Sequence, residues 1–120
     1  MHAYKFPEKV LREIIVNTIE NYLTYIFKNN LVCQHNIVIQ GVPCPNIDTD
    51  NLPENDVIQL IKVINIFNFE LKAKSKEKGF GFLDVYKITD NGDGLSNSIY
   101  HIDKYHISPD GMLKAWSKYV

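Results

Sequence analysis

The sequence predicts an α+β fold, in which a long N-terminal helix precedes a small domain that contains several short strands and at least one helix. Two patterns carry this prediction. Apolar residues recur near the 3.6-residue helical period from Val10 to Phe27, and apolar and charged residues alternate over 69–75 as along a half-buried strand. A length of 120 residues allows a modest core. We therefore expect an amphipathic helix over residues 1–30 and a folded domain over 31–120.

Composition and charge narrow the class of protein. Apolar residues make up 45% of the chain and aromatic residues 12%, which is typical of a folded protein. The formal net charge is −1, and this balance disfavours strong binding to nucleic acid. No uncharged apolar stretch approaches the ~20 residues of a membrane span, and residues 1–5 do not open a signal peptide. We expect a soluble cytoplasmic protein that makes no membrane contact.

The two cysteines, Cys33 and Cys44, are expected to be free thiols in a reducing compartment. Together with His35 they lack the paired spacing and the fourth ligand of a zinc site. The sequence therefore predicts no metal and no cofactor.

The N-terminal helix is predicted from Phe6 to Asn30, with Pro7 suited to its first turn. Its apolar stripe is wide, so it needs a cover. That cover is either the protein's own sheet or a partner, and a homo-oligomer formed through this helix is one such arrangement. The candidate partner-binding residues are Leu11, Ile15, Tyr22 and Ile26.

The elements that follow are predicted in turn from local pattern. Residues 36–43 are a β-branched run that ends in glycine and proline, which indicates a strand, and 44–54 indicate a loop. A helix is predicted from Pro53 to Phe67, with a long strand as the alternative. Residues 69–75 are predicted as a strand, and a turn at 75–79 leads into a further strand from Phe80 to Thr89. We expect Ile39, Leu71 and Leu83 to be buried and Phe82 to be partly exposed.

The stretch Lys78-Gly79-Phe80-Gly81-Phe82-Leu83-Asp84-Val85 alternates glycine with phenylalanine. It resembles the ribonucleoprotein octamer of the RNA-recognition motif (RRM), except that Val85 replaces an aromatic residue. The run over 37–42 likewise resembles the shorter hexamer motif of that family, with Val38 in place of the aromatic residue that stacks a base.

The resemblance implies an RRM-like fold, which is a ferredoxin-like split β-α-β antiparallel sheet. Within the family, the chain is most similar to the group found in subunit b of translation initiation factor 3. That group also has a non-aromatic hexamer ending in Val-Pro, like Val42-Pro43 here, together with a late segment like that over 102–106 and a final Lys-Tyr. Residues 90–120 depart from the family pattern. We expect loop at 90–97, a strand at 98–107, a tight turn at 108–111, and a strand or short helix at 112–119, so that the second RRM helix is very short or absent.

These features are compatible with two functions, and a third is possible if the octamer-like stretch is a coincidence. The slightly negative net charge and the absence of the aromatic residue from the hexamer motif favour an RRM-like module that binds a protein partner, with weak or no RNA binding. The alternative is a single-stranded RNA binder that neutralises phosphates and stacks bases. The third is an unrelated α+β inhibitor or immunity-type binding protein. The candidate RNA-binding or sheet-surface residues are Lys72, Lys74, Lys78, Phe80, Phe82, Val38 and Gln40.

One cluster has enzyme-like side chains, namely His101, Asp103 and His106. On a strand the first two would share a face and His106 would point away. No nucleophile motif or phosphate-binding loop accompanies them. The sequence therefore predicts a polar surface strand here and no enzyme.

Overall fold

The computed structural model describes residues 7–119. The elements are α1 (Glu8–Cys33), β1 (Val38–Gln40), α2 (Glu54–Glu77), β2 (Gly81–Leu83), α3 (Val85–Thr89) and α4 (Pro109–Tyr119). The protein is thus a mostly helical α+β protein with four helices and two short strands among these residues. Residues 1–6, which include Phe6 and the start of the predicted N-terminal unit, lie outside the described part of the chain.

The two strands are parallel, which overturns the predicted antiparallel RRM-like sheet. Val38 pairs with Gly81, and Gln40 pairs with Leu83. The predicted strand at 69–75 is instead the last part of α2. Its alternation covers only seven residues, and Glu, Leu, Lys and Ala are all strong helix formers, so the helix that begins at Glu54 continues through them. A long helix between two neighbouring strands requires a crossover, and a crossover makes the strands parallel.

The predicted strand from Phe80 to Thr89 is also too long. It ends at Leu83 because Asp84 caps the next helix, its carboxylate accepting the Lys87 backbone N–H at 3.0 Å. The predicted strand at 98–107 is irregular apart from an antiparallel bridge between His101 and Ile107. The predicted turn at 108–111 falls largely within the first turn of α4, and residues 112–119 are helical.

One apolar core joins α1, α2 and the sheet. Leu11, Ile15, Ile19 and Leu23 recur every fourth residue along α1, so they form one stripe. The stripe packs in one cluster with Ile66 and Leu71 of α2 and with Ile39 and Phe80. Burial of Ile39, Leu71 and Leu83 and partial exposure of Phe82 confirm the predicted core positions.

Ion pairs flank the α1–α2 contact along its length. Lys62 Nζ lies 2.8 Å from a Glu8 carboxylate oxygen, and Arg12 Nη1 lies 3.6 Å from Glu70 Oε1. The first pair lowers the pKa of Glu8, through the hydrogen bond and the charge of Lys62. Because at least one partner in each pair is solvent-exposed, each pair adds little stability, and the buried stripe holds the helices together.

A second, smaller core lies under α4. Leu83, Val85 and Ala115 are buried there, with Ile107 and Met112 packed against them. Cys44 anchors the loop after β1 to the same region, since its backbone N–H donates to Thr89 Oγ1 at 3.0 Å. Both cysteines are free, with Cys33 exposed and Cys44 buried. Burial raises the pKa of the Cys44 thiol to about 11.

The sheet is open at both outer edges, because β1 and β2 pair only with each other among residues 7–119. Purely parallel sheets are normally larger and covered on both faces. No helix in the described part of the chain has the length and apolarity needed to cross a membrane.

Candidate functional site

The loop between α3 and α4 carries a tight turn that brings two titratable side chains together. The bridge between His101 and Ile107 closes the turn, and the Ile102 N–H donates to the His106 carbonyl at 3.0 Å. Inside it, Asp103 Oδ1 accepts the backbone N–H groups of Tyr105 and His106, both at 2.7 Å. Aspartate commonly closes turns by bonding to backbone groups two or three residues ahead.

This geometry places the His106 ring on the Asp103 carboxylate. Nδ1 of His106 lies 2.8 Å from Oδ2 and 3.0 Å from Oδ1. An ionised carboxylate can only accept, so Nδ1 carries the proton and Nε2 is the free basic nitrogen of the neutral ring. Both side chains face solvent, with 69% of the His106 and 51% of the Asp103 side chain exposed.

The hydrogen bonds also set the charge of Asp103. The Tyr105 backbone N–H, followed by the His106 side chain, lowers the pKa of its carboxyl group. The carboxylate is therefore ionised throughout the neutral range. Asn46, from the loop after β1, donates its amide to the Asp103 carbonyl oxygen at 3.1 Å and ties the turn to the body of the protein.

His101 belongs to a separate arrangement. Its Nδ1 lies 2.7 Å from Ser96 Oγ, and that hydroxyl also accepts the Ser98 backbone N–H at 2.9 Å. Its Nε2 is buried and has no hydrogen-bond partner within residues 7–119. Burial lowers the pKa of His101. The sequence-based expectation that His101 and Asp103 would share a face, with His106 turned away, is therefore not what this loop adopts.

A second feature is a cavity of about 700 Å³ between α2, β2, α3 and α4. We call it the basic cleft. Its charged lining is five lysines and one carboxylate, namely Lys72, Lys76, Lys87, Lys114, Lys118 and Asp84. Its other lining includes Phe82, Ile88, Asn97, Ile99, Tyr100 and Tyr119.

The candidate RNA-binding residues predicted from the sequence are only partly brought together by the fold. Phe80 is buried in the core with 6% of its surface exposed, and it also lines the basic cleft with Lys72 and the half-buried Phe82. Lys74 and Lys78 lie 3.6 and 3.8 Å from the two carboxylate oxygens of Glu20 on α1.

The other sheet-surface candidates lie on β1, where Val38 is half-buried and Gln40 exposed. The four candidate partner-binding residues of α1 also divide. Leu11 and Ile15 are buried against α2, Ile26 is half-buried against the same core, and Tyr22 is exposed.

The candidate residues named from the sequence did not include Lys76, Lys87, Lys114 and Lys118 of the basic cleft, or the contact between Asp103 and His106. A local signal existed for two of these features. Lys114 and Lys118 are spaced i,i+4, which places them on one face if 109–119 is a helix. Asp103 and His106 are spaced i,i+3, which a turn brings into contact.

Comparison of the chain with protein-family models, with characterised proteins and with solved structures finds no match. These comparisons identify no relation to the RNA-recognition motif.

Proposed function

We propose that Asp103 and His106 are the acid–base half of a hydrolytic site. The observation that carries the proposal is the bond from His106 Nδ1 to the Asp103 carboxylate at 2.8 Å. A histidine held in this way can act as a general base, because the carboxylate fixes its tautomer and ring orientation, as in the Ser-His-Asp hydrolases. The sequence-based expectation of no enzyme rested on the lack of a nucleophile motif and of a phosphate-binding loop, as well as on His106 turning away from Asp103. The turn changes only the last of these grounds.

Each residue has a distinct role in the proposed chemistry. Nε2 of His106 takes a proton from water or from a hydroxyl nucleophile as that oxygen attacks a carbonyl carbon, and returns the proton to the leaving group. Asp103 is a positioning residue that fixes the ring and stabilises the imidazolium that forms. The lowered pKa of Asp103 supports this role, because the carboxylate then remains charged at the pH at which histidine acts as a base.

The hydroxyl nucleophile and the donors that stabilise an oxyanion would come from a second polypeptide segment. Within residues 7–119, Nε2 of His106 has no hydrogen-bond partner. Ile102 and Tyr105, which belong to the same turn as the pair, expose apolar surface. Contiguous exposed apolar surface marks contact sites, and the open edges of the sheet offer a second attachment point. The protein-binding role predicted from the sequence is thus part of this proposal.

The tautomer of His106 is the first test. In ¹⁵N NMR spectra of the neutral ring, recorded above its titration, we expect the proton on Nδ1 and a bare Nε2. Asp103→Asn should remove this preference while circular dichroism stays unchanged. A neutral His106 with its proton on Nε2 in the wild-type protein would contradict the proposal, because the ring could not then accept a proton at its exposed nitrogen.

Hydrolysis of an activated ester tests the chemistry. With p-nitrophenyl acetate at pH 8 and water as the nucleophile, His106→Gln should lower the hydrolysis rate of the isolated chain, and Asp103→Asn should also lower it, through loss of the orienting carboxylate. His35→Gln is the matched control, since His35 is also exposed but has no carboxylate partner among the described residues. Equal rates for wild type and His106→Gln would refute the role assigned to this ring.

A further inference from the structure

We propose that the basic cleft binds a small organic phosphate of the nucleotide class, with the phosphates among its lysines and an aromatic body against the aromatic part of its lining. This site is separate from the Asp103–His106 pair, and the proposal does not depend on the proposed hydrolytic chemistry.

The charge arrangement is the first argument. Lys72 and Lys76 are spaced i,i+4 on α2, and Lys114 and Lys118 are spaced i,i+4 on α4. Like charges at this spacing repel one another on a helix. The two pairs line the same cavity, and Lys87 of α3 lines it as well.

The surrounding charges do not neutralise this cluster. The cleft concentrates five of the chain's thirteen lysines and arginines in a protein whose formal net charge is −1. None of the five forms an ion pair within the described residues, whereas Lys62, Lys74 and Lys78 do. The one carboxylate in the lining, Asp84, caps α3 and can offset only one of the five positive charges. A solvated surface usually mixes both signs of charge, so this cluster is suited to an anion.

The aromatic part of the lining is the second argument. Phe82, which is half-buried, lines the cleft together with Tyr100 and Tyr119. The Tyr119 ring is held edge-on by Trp116, with ring centroids 5.2 Å apart. Aromatic rings beside lysines offer stacking together with phosphate neutralisation.

The size of the cavity selects a small molecule over a nucleic-acid strand. A volume of about 700 Å³ lies within the range of sites for small ligands and cofactors. Single strands need an extended groove that follows several nucleotides, whereas this cavity is bounded by α2, α3 and α4 around β2. Lysine binds phosphate as a point charge on a flexible stem, so five lysines suit a group with several negative charges.

Isothermal titration calorimetry without divalent metal tests the proposal with three probes. ATP should bind with a micromolar Kd, tripolyphosphate at least ~10-fold more weakly, and adenosine not measurably up to ~1 mM. Raising the salt from about 50 mM to about 200 mM should weaken ATP binding, because the contacts are ionic. No ATP binding at 1 mM protein and ligand, or equal affinity for ATP and tripolyphosphate, would overturn the proposal.

Matched double variants locate the site. Lys72→Gln with Lys114→Gln removes one charge from each helical pair and should weaken ATP binding at least tenfold. Lys9→Gln with Lys28→Gln removes the same charge from exposed positions of α1 outside the cleft and should leave the Kd within about twofold of wild type. Equal loss in both variants would show that ATP senses only overall charge and would refute the site.

Two further measurements use only the wild-type protein, so they test the site even if a variant does not fold. ATP-induced NMR shifts in the wild-type protein should centre on Phe82, Tyr100 and Tyr119, and shifts elsewhere would place the ligand outside the cleft. A single-stranded oligouridylate that binds more tightly than ATP, with affinity rising with its length, would instead assign this surface to nucleic acid.

Discussion

Truncation of Leu23 tests whether α1 is an integral part of the core. Leu23 is 0% exposed and packs in the cluster that α1 forms with α2 and the sheet. Leu→Ala changes at such sites cost about 3 kcal/mol, from lost burial plus the cavity left behind. An unfolding entropy of roughly 2.1 cal/mol/K per residue over this chain gives about 0.25 kcal/mol/K, so Tm should fall by about 12 °C.

Thermal and urea unfolding followed by circular dichroism would measure the loss. Ile14→Ala is the matched control, because it removes the same number of carbons from the same helix at a side chain that is 50% exposed. Its cost should stay below about 1 kcal/mol, since less apolar area leaves water and alanine favours the helix. The two variants should therefore differ by about 2 kcal/mol or more.

Equal stability of the two variants would refute this packing. The buried stripe of α1 would then contribute nothing to the fold of the isolated chain, and the helix would belong to the surface of a partner. Deletion of residues 1–29 separates the same outcomes. Unfolding or self-association is expected if α1 covers the core, whereas a folded monomer with an unchanged Tm would contradict that role.

Three further predictions concern single sites. Gly111→Ala should cost about 1–3 kcal/mol in chemical denaturation, because a Cβ there overlaps the side chain of Ile107. Ellman's reagent at pH 8 should titrate one thiol in the folded protein and two in guanidinium, because Cys33 is exposed whereas burial raises the pKa of Cys44 to about 11. Burial lowers the pKa of His101, so the folded state binds fewer protons than the unfolded state. Stability should then fall as pH drops through about 6.5, and denaturation of His101→Gln should lack this loss.

The sequence predicted an element correctly where only one local pattern is present. The helical period of the apolar residues predicted α1, because it repeats over several turns. The start signals near Pro53, followed by apolar residues at helical spacing, predicted α2. The β-branched run at 37–42 likewise marked β1, although only Val38–Gln40 form the strand.

Prediction failed where two local signals competed. Residues 69–75 carry both a strand alternation and strong helix propensity, and a preceding helix decides the outcome by propagation. The two glycines of the octamer-like stretch are explained by the local structure rather than by an RNA-binding motif. Gly79 adopts a positive φ of 79° as the chain leaves α2, and a Cβ at Gly81 would meet the Tyr119 hydroxyl. The Lys-Gly-Phe-Gly-Phe stretch thus serves a helix end and a close contact.

The candidate sites depend on tertiary placement more than the helices do. Lys72 and Lys114 are 42 positions apart in sequence, and only the packing of α4 beside β2 brings both to the basic cleft. The Asp103–His106 contact is local, but it exists only in a turn and not in the strand predicted there.

The parallel pairing of β1 with β2 has a consequence for how the chain folds. Val38 and Gly81 are more than forty positions apart, and all of α2 lies between them. Pairing the two strands requires that the whole segment between them be closed into a loop, which costs conformational entropy. Local contacts offset this cost only after α2 has formed and shortened the segment. We therefore expect the strand pair to form after α2, so changes within α2 should slow refolding, whereas changes within the strands should mainly hasten unfolding.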